Sequence, residues 1–562
     1  MKKFFLMLLA VLVLAGSAMA AAPEITATAE FDGTEITVKA RYKSERYTLS
    51  LPGMWDASKV VLAFDGRETL RVGKEFILNE NAENDLTSLI GTEQRLYNAK
   101  NGGMGRIRVF QGSEIPALYL TVDSKELAKV NKSKENEITE GRAVYQEADG
   151  SISYDGEIRS FKGRGNSTFG YSKKPYQLKL EKKANLSGMG KARTWLLIAN
   201  WQDLSLLRNQ MMMNLAKQIG VTFALDCIPV DLYLNGEYNG LYLMTEKVQI
   251  GKHRVNITNL EDAVAAVNQD TPVEEAEPFR ETSDTGVQTL RGYEIANDPE
   301  EITGGYILEI EKPARFRDYI QNGFITADGL SVTIKEPTYA SRAQVTYAAE
   351  LVSDFHAAAL AEDGISPETG KYYAEYINMD SFARKYWVEE VSKNYDAFAS
   401  SQFMVKDSDS VDGLLYAGPC WDYDLSLGNI FLAGRQNAAN PEGEYQSRYG
   451  KKNHLYWALY RHDDFQEAIN KVYREEVSRA LRIFLGDEAP GEGDVICSIS
   501  EYAARIEKSA EMNFVRWPES NVHGYYTESG KTHEKSVQYL EKFLRKRYEY
   551  LQETQIEGGE KK

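Results

Sequence analysis

The sequence predicts an α+β protein, with a strand-rich half followed by a mostly helical half and a small β-module ahead of both. Three observations predict it. Short runs of alternating apolar residues bounded by turn pairs dominate up to about residue 245, and apolar residues spaced by three and four dominate beyond about residue 340. The 562 residues exceed what one core organises, so two to four domains of roughly 100–200 residues are expected. A hydrophobic content of 43%, with 11% aromatic, is enough to pack them.

Residues 1–20 read as a signal peptide. Lys2 and Lys3 precede an apolar run from Phe4 to Ala15, and Ala18-Met19-Ala20 forms the small-residue pattern that signal peptidase cuts. The mature chain is therefore expected to start near Ala21 and to work outside the cytoplasm, secreted or held in the cell envelope. The run is shorter than the roughly 20 residues of a membrane-spanning helix, and no later stretch is apolar enough to span a bilayer. Formal charge is −17, and loss of Lys2 and Lys3 takes the mature chain to −19. A field of that sign opposes nucleic acid and anionic lipid as partners.

Residues 21–112 read as the β-module, with strands such as Glu35–Ala40 and Lys59–Phe64, the latter ended by Asp65-Gly66. The main domain is expected over 113–552. It opens with the strand Ile115–Val122 and the polar stretch Lys125–Glu140. Leu204, Leu207, Met211, Leu215 and Ile219 then mark one face of a helix that Asp203 caps and Gly220 ends. Strands Val230–Leu234 and Gly240–Thr245 follow, joined by Asn235-Gly236, a hairpin signal. The acidic, proline-containing residues 260–303 lack clear periodicity and are expected to form an inserted surface loop.

Gly304–Glu311 returns to strand, and Ser341-x-x-Gln344 is a capping-box pattern that opens a helix to Glu362. Helical spacing continues through Asp464–Leu485 and Glu534–Gln552, and 553–562 is a charged tail. Cys227, Cys420 and Cys497 are too few and too scattered for a disulfide framework. The histidines His253, His356, His454, His462, His523 and His533 form no zinc-binding pattern.

Three clusters can carry chemistry. Glycines in Lys162-Gly163-Arg164-Gly165-Asn166-Ser167-Thr168 let a backbone approach an anion, and Arg164, Lys174 and Lys179 are placed to neutralise phosphate oxygens. An ordinary basic hairpin would read the same way. Asn394-Tyr395-Asp396 ends a helical run that begins near Asp380, and Trp421-Asp422-Tyr423-Asp424 lies further on. Asp396 and Asp422 are 26 positions apart, separated by two strand-like segments, Ser401–Lys406 and Leu414–Ala417. Such a hairpin returns the chain to its origin and brings both carboxylates to one end. Metal-dependent phosphoryl transfer uses such a pair, one to orient the attacking hydroxyl and the other to hold magnesium, with Asp424 as a further oxygen donor. Loop capping or a structural calcium would also suit Asp422 and Asp424.

Arg164-Gly165-Asn166-Ser167-Thr168, Lys173-Lys174-Pro175-Tyr176, Asp203 with Leu207-Arg208-Asn209, Tyr233–Glu246, Gly305-Tyr306-Ile307-Leu308-Glu309 and Trp421-Asp422-Tyr423-Asp424 occur in one order along the chain. In that order they resemble the CotH spore-coat kinase-like family, over roughly Ile115 to Leu551. The resemblance implies an atypical protein-kinase-like fold, with a β-rich N-terminal lobe and a mostly helical C-terminal lobe. It also implies an enzyme that uses ATP and Mg2+ to phosphorylate serine or threonine on secreted or coat proteins. Carried over by position, Asp396 is the catalytic-loop aspartate and Asp422 the metal-binding one. Lys174 or Lys179 would meet the phosphates, and Glu246 would lie near the hinge after the hairpin. Five residues after Asp396, where kinase-like loops often carry a metal-holding asparagine, this chain has Ser401. That departure leaves room for a non-catalytic surface or envelope protein with the same fold. A carbohydrate-active enzyme with paired carboxylates is a third possibility.

Overall fold

The computed structural model describes residues 22–557 except 65–68, 99, 101, 283–286, 399, 431–435, 448–454 and 523–525. The signal-peptide reading, the Asp65-Gly66 turn, His454, His523 and the end of the charged tail lie outside the described residues.

The chain divides into two compact units, and almost all of residues 22–110 belong to the first. There, strands run in the order Arg41–Lys43, Arg46–Leu51, Gly103–Gln111, Glu93–Asn98, Thr69–Val72 and Phe76–Asn79. Along Thr69–Val72, Leu70 and Val72 are buried while Thr69 and Arg71 are half-exposed, the period of two that follows from side chains pointing alternately to opposite faces.

The second unit holds a mixture of helices and strands, as the α+β reading expects. Seven of its described strands close into a barrel. Ala117–Thr121 pairs antiparallel with Arg142–Gln146, and the circuit continues through Ile152–Gly163, Tyr176–Asn185 and Lys191–Ile198. Lys191–Ile198 then pairs with Glu237–Glu246, which pairs with Cys227–Leu234, and that strand returns in parallel to the first. Leu118, Phe161, Leu178, Leu180, Trp195, Leu197, Leu232 and Met244 belong to one buried apolar cluster. The Asn235-Gly236 turn forms as expected, with both residues left-handed at φ 51° and 84°, the backbone a two-residue hairpin requires.

A second sheet orders its described strands Pro278–Glu281, Val287–Tyr293, Gly323–Thr326, Ser331–Glu336, Tyr306–Ile310, Gln402–Lys406 and Leu415–Ala417. Helix Arg342–Leu360 packs on it, opened by the reciprocal cap in which Gln344 N–H donates to Ser341 Oγ and Ser341 N–H to Gln344 Oε1. Helix Met379–Ser392 packs against Arg208–Gln218, Asp463–Val472 and Leu415–Ala417.

Two local expectations are corrected. The helix expected from Asp203 starts at Arg208, because Leu206 takes a left-handed φ of 60° that no α-helix accommodates. Asp203 still accepts the Arg208 N–H at 2.9 Å, while Leu204 packs with Leu425, Val522 and Tyr526. Residues 260–303 are not simply a loop. They supply helix Leu260–Val267, capped by Asn259, and the strands Pro278–Glu281 and Val287–Tyr293. Glu261 and Asp262 fall in the first turn of that helix, where a carboxylate complements the exposed N–H groups, so the acidity that obscured the periodicity supports the helix.

Candidate active site

Helix Met379–Ser392 ends at Lys393, whose left-handed φ of 46° turns the chain sharply into Asn394, Tyr395 and Asp396. Strand Gln402–Lys406 then leaves and Leu415–Ala417 returns beside it, Met404 opposite Ala417. The returning chain reaches Trp421, Asp422 and Asp424. Two barrel strands, Ile152–Gly163 and Tyr176–Asn185, are joined by the Arg164–Thr168 segment, and strand Tyr306–Ile310 runs on into Glu311 and Lys312.

These segments line one cavity of about 690 Å³. Arg164, Asp396, Ser401, Asp422 and Asp424 all face it, as do Lys247, Glu309, Glu311, Lys312, Arg315, Lys335, Trp201 and Trp421. The Lys312 ammonium lies 2.7 Å from Asp396 Oδ1. Ser401 Oγ donates to Asp422 Oδ2 at 3.3 Å. The Arg164 guanidinium stands over the Trp421 ring, 5.2 Å from its centroid. Glu309 pairs with Lys335 at 3.0 Å and Glu311 with Arg315 at 3.0 Å.

Burial pushes the Asp422 carboxyl up to about 6, and repulsion from Asp396 adds to it, while Arg164 and the Ser401 hydroxyl act in the other direction. Burial lifts Asp424 well above the usual carboxylate range, with the charges of Asp422 and Asp396 contributing. Burial also works against the Arg164 charge, and Asp422 offsets part of that cost. A divalent cation on Asp422 and Asp424 would offset the repulsion that Asp396 exerts on both and that Asp422 exerts on Asp424. Among the described residues, no group of three or more His, Cys, Asp and Glu forms a protein-only metal cage. Mg2+ does not need one, since it commonly takes one or two carboxylates and completes its shell with water and substrate phosphates. The donors present therefore fit Mg2+.

The remaining sequence-derived candidates lie outside the residues lining this cavity. Lys174 Nζ donates to the Phe169 carbonyl at 2.7 Å and stands over the Phe169 ring. Lys179 follows the cavity-lining Gln177 on the same face of its strand and adds to the positive charge felt by Lys247. Glu246 is buried against Arg254, and burial pushes it up to about 7.

Sequence reasoning assigned no role to Lys312, Lys247 or Glu309. A signal existed for Glu309, which is a charge inside the otherwise apolar strand Tyr306–Ile310. None existed for Lys312, since its partner lies 84 positions away.

A family model described as CotH kinase protein matches residues 161–551. No curated protein matches the chain.

Proposed function

The chain belongs to the CotH kinase protein family, and on that premise we propose that it is an exported, ATP- and Mg2+-dependent kinase of serine or threonine on extracytoplasmic proteins. The observation that carries this reading is the convergence of Arg164, Asp396, Asp422 and Asp424, from three separated segments, on one cavity.

Asp396 orients the acceptor hydroxyl. With Lys312 on Oδ1, the other carboxylate oxygen would accept the hydroxyl proton. The acceptor oxygen forms a bond to the γ-phosphorus as the bond to the β-phosphate oxygen breaks, and ADP leaves with that electron pair. Asp422 and Asp424 would hold Mg2+, which supplies charge neutralisation at the phosphates. Arg164 adds fixed positive charge beside Asp422. Positioning and charge stabilisation carry most of the acceleration, because phosphoryl transfer asks little covalent chemistry of the protein. The kinase-like two-lobe layout, with the barrel in the strand-rich lobe, belongs to the same proposal, as does removal of residues 1–20 on export.

Ser401 favours a second reading, a non-catalytic envelope protein that retains the fold. Its hydroxyl on Asp422 is a shorter and poorer metal donor than a carboxamide.

Thermal unfolding with and without ATP plus Mg2+, on the mature protein and on Asp422→Ala, separates the two. A ligand at a hundred times its dissociation constant stabilises by about 2.7 kcal/mol. A rise in melting temperature that the variant loses, followed by transfer of labelled γ-phosphate to a protein acceptor, supports the kinase. The absence of any rise in either protein supports the binding protein.

A further inference from the structure

Asp422 is held at φ 72°, a left-handed conformation that a side chain disfavours and that surrounding contacts must enforce. The contacts are two carboxamides acting on one peptide group. Asn394 Nδ2 donates to the Asp422 carbonyl at 3.1 Å, and the Tyr423 N–H on the same peptide donates to Asn209 Oδ1 at 2.8 Å. Both asparagines are buried, at 0% and 1% exposure. Each amide can face only one way. Asn394 Oδ1 accepts the Asp396 N–H at 3.2 Å, which leaves its NH2 for the Asp422 carbonyl. Asn209 Oδ1 is taken by Tyr423 N–H, and its NH2 donates to Asn200 Oδ1 at 3.0 Å.

We propose that Asn394 and Asn209 are positioning residues that clamp the Asp422–Tyr423 peptide from its two edges, and that Asn394 thereby sets Asp422 against Asp396. In these bonds the planar Asn394 carboxamide touches the backbone of both aspartates, and so bears directly on the spacing of the hydroxyl-orienting and phosphate-side carboxylates, beside the Tyr395 N–H to Leu425 carbonyl bond that joins the same two segments. The catalytic consequence rests on the kinase reading, whereas the clamp itself does not. Groups that orient metal-binding side chains without touching the metal typically change affinity or activity by about 10- to 100-fold when removed.

The experiment uses the mature protein, Asn394→Ala, Asn209→Ala, the double variant, and Asn394→Asp, which keeps shape and the acceptor for Asp396 N–H but sets an oxygen against the Asp422 carbonyl. Amide hydrogen exchange in nucleotide-free protein reads the clamp. We expect about tenfold faster exchange at Tyr423 in Asn209→Ala and at Asp396 in Asn394→Ala, with helix Arg342–Leu360 unchanged. Calorimetric titration of Mg2+ in saturating ATP reads the consequence. Half-saturation should rise about 10- to 100-fold in either single variant, and the double variant should fall well short of the product, because both act on one peptide. Wild-type exchange rates at both amides overturn the clamp. Faster exchange with half-saturation within about twofold of wild type overturns its role in positioning. A wild-type protein that ignores Mg2+ and ATP refutes the kinase reading alone, and exchange still decides the clamp.

Discussion

Replacing Arg208 by methionine tests whether the loop that follows Asp422 and Asp424 is held by buried charge. Arg208 is fully buried, as are the carboxylates it meets, Asp203 at 2.5 Å and Glu528 at 3.2 Å, and its Nε donates to the Ser426 carbonyl at 3.0 Å. Methionine fills much of the same volume, so the cavity term is small. The cost lies in two carboxylates left buried without a counter-charge, about 3–5 kcal/mol, since the Ser426 carbonyl keeps the Asn429 N–H at 2.9 Å. Asp203 keeps the Ser205 and Arg208 backbone donors, so about 4 kcal/mol is the net expectation. At about 2.1 cal/mol/K per residue, a unit of about 450 residues loses about 4 °C in Tm. Denaturant titration at neutral pH, with calorimetry alongside, measures both quantities. Adding Asp203→Asn and Glu528→Gln to the variant should recover at least half of the loss, since the penalty belongs to the orphaned charges. A loss under about 1 kcal/mol, or no recovery in the triple variant, would refute the reasoning.

On the proposed kinase reading, in which Asp396 orients the acceptor, Lys312→Met should lower kcat about 10- to 100-fold while KM for ATP stays within about twofold, because the ammonium pairs with Asp396; steady-state kinetics with ATP and a protein acceptor decide it, and an unchanged kcat removes Lys312 from the mechanism. Burial, with repulsion from Glu261 next, pushes Glu336 up to about 7, while Lys247 and Lys335 pull the other way. A carboxyl raised in the folded state contributes stability that is complete below about pH 4.5 and disappears as pH rises through about 7. Glu336→Gln should therefore lose less stability than wild type between pH 5 and pH 7.5, by about 2 kcal/mol in urea titrations, and identical pH slopes would count against the assignment. Ser341→Ala removes the acceptor for Gln344 N–H and the donor to Asp298, and should cost about 1–2 kcal/mol by the same method, with a loss below about 0.3 kcal/mol contradicting it.

By itself the sequence determined the features governed by neighbours within a few positions. Asn235-Gly236 specified its hairpin because both residues tolerate left-handed backbone, and Ser341 with Gln344 specified a helix start because the two side chains reach each other's N–H within one turn. The return of Asp422 toward Asp396 was also legible, since two short strands around a polar turn leave few other paths. The order of spaced motifs supplied the family, now matched over 161–551. Only the tertiary structure decided which side chains meet across long separations. Closure of the barrel through Lys191–Ile198 and Glu237–Glu246, the Arg208–Glu528 pair, and Lys312 on Asp396 depend on how whole strands and helices pack. The physical reason is range. Backbone periodicity and capping act over three or four residues and leave a pattern in the chain, whereas a buried ion pair is selected by the desolvation of two groups that the fold brings together, and that selection leaves no spacing to read.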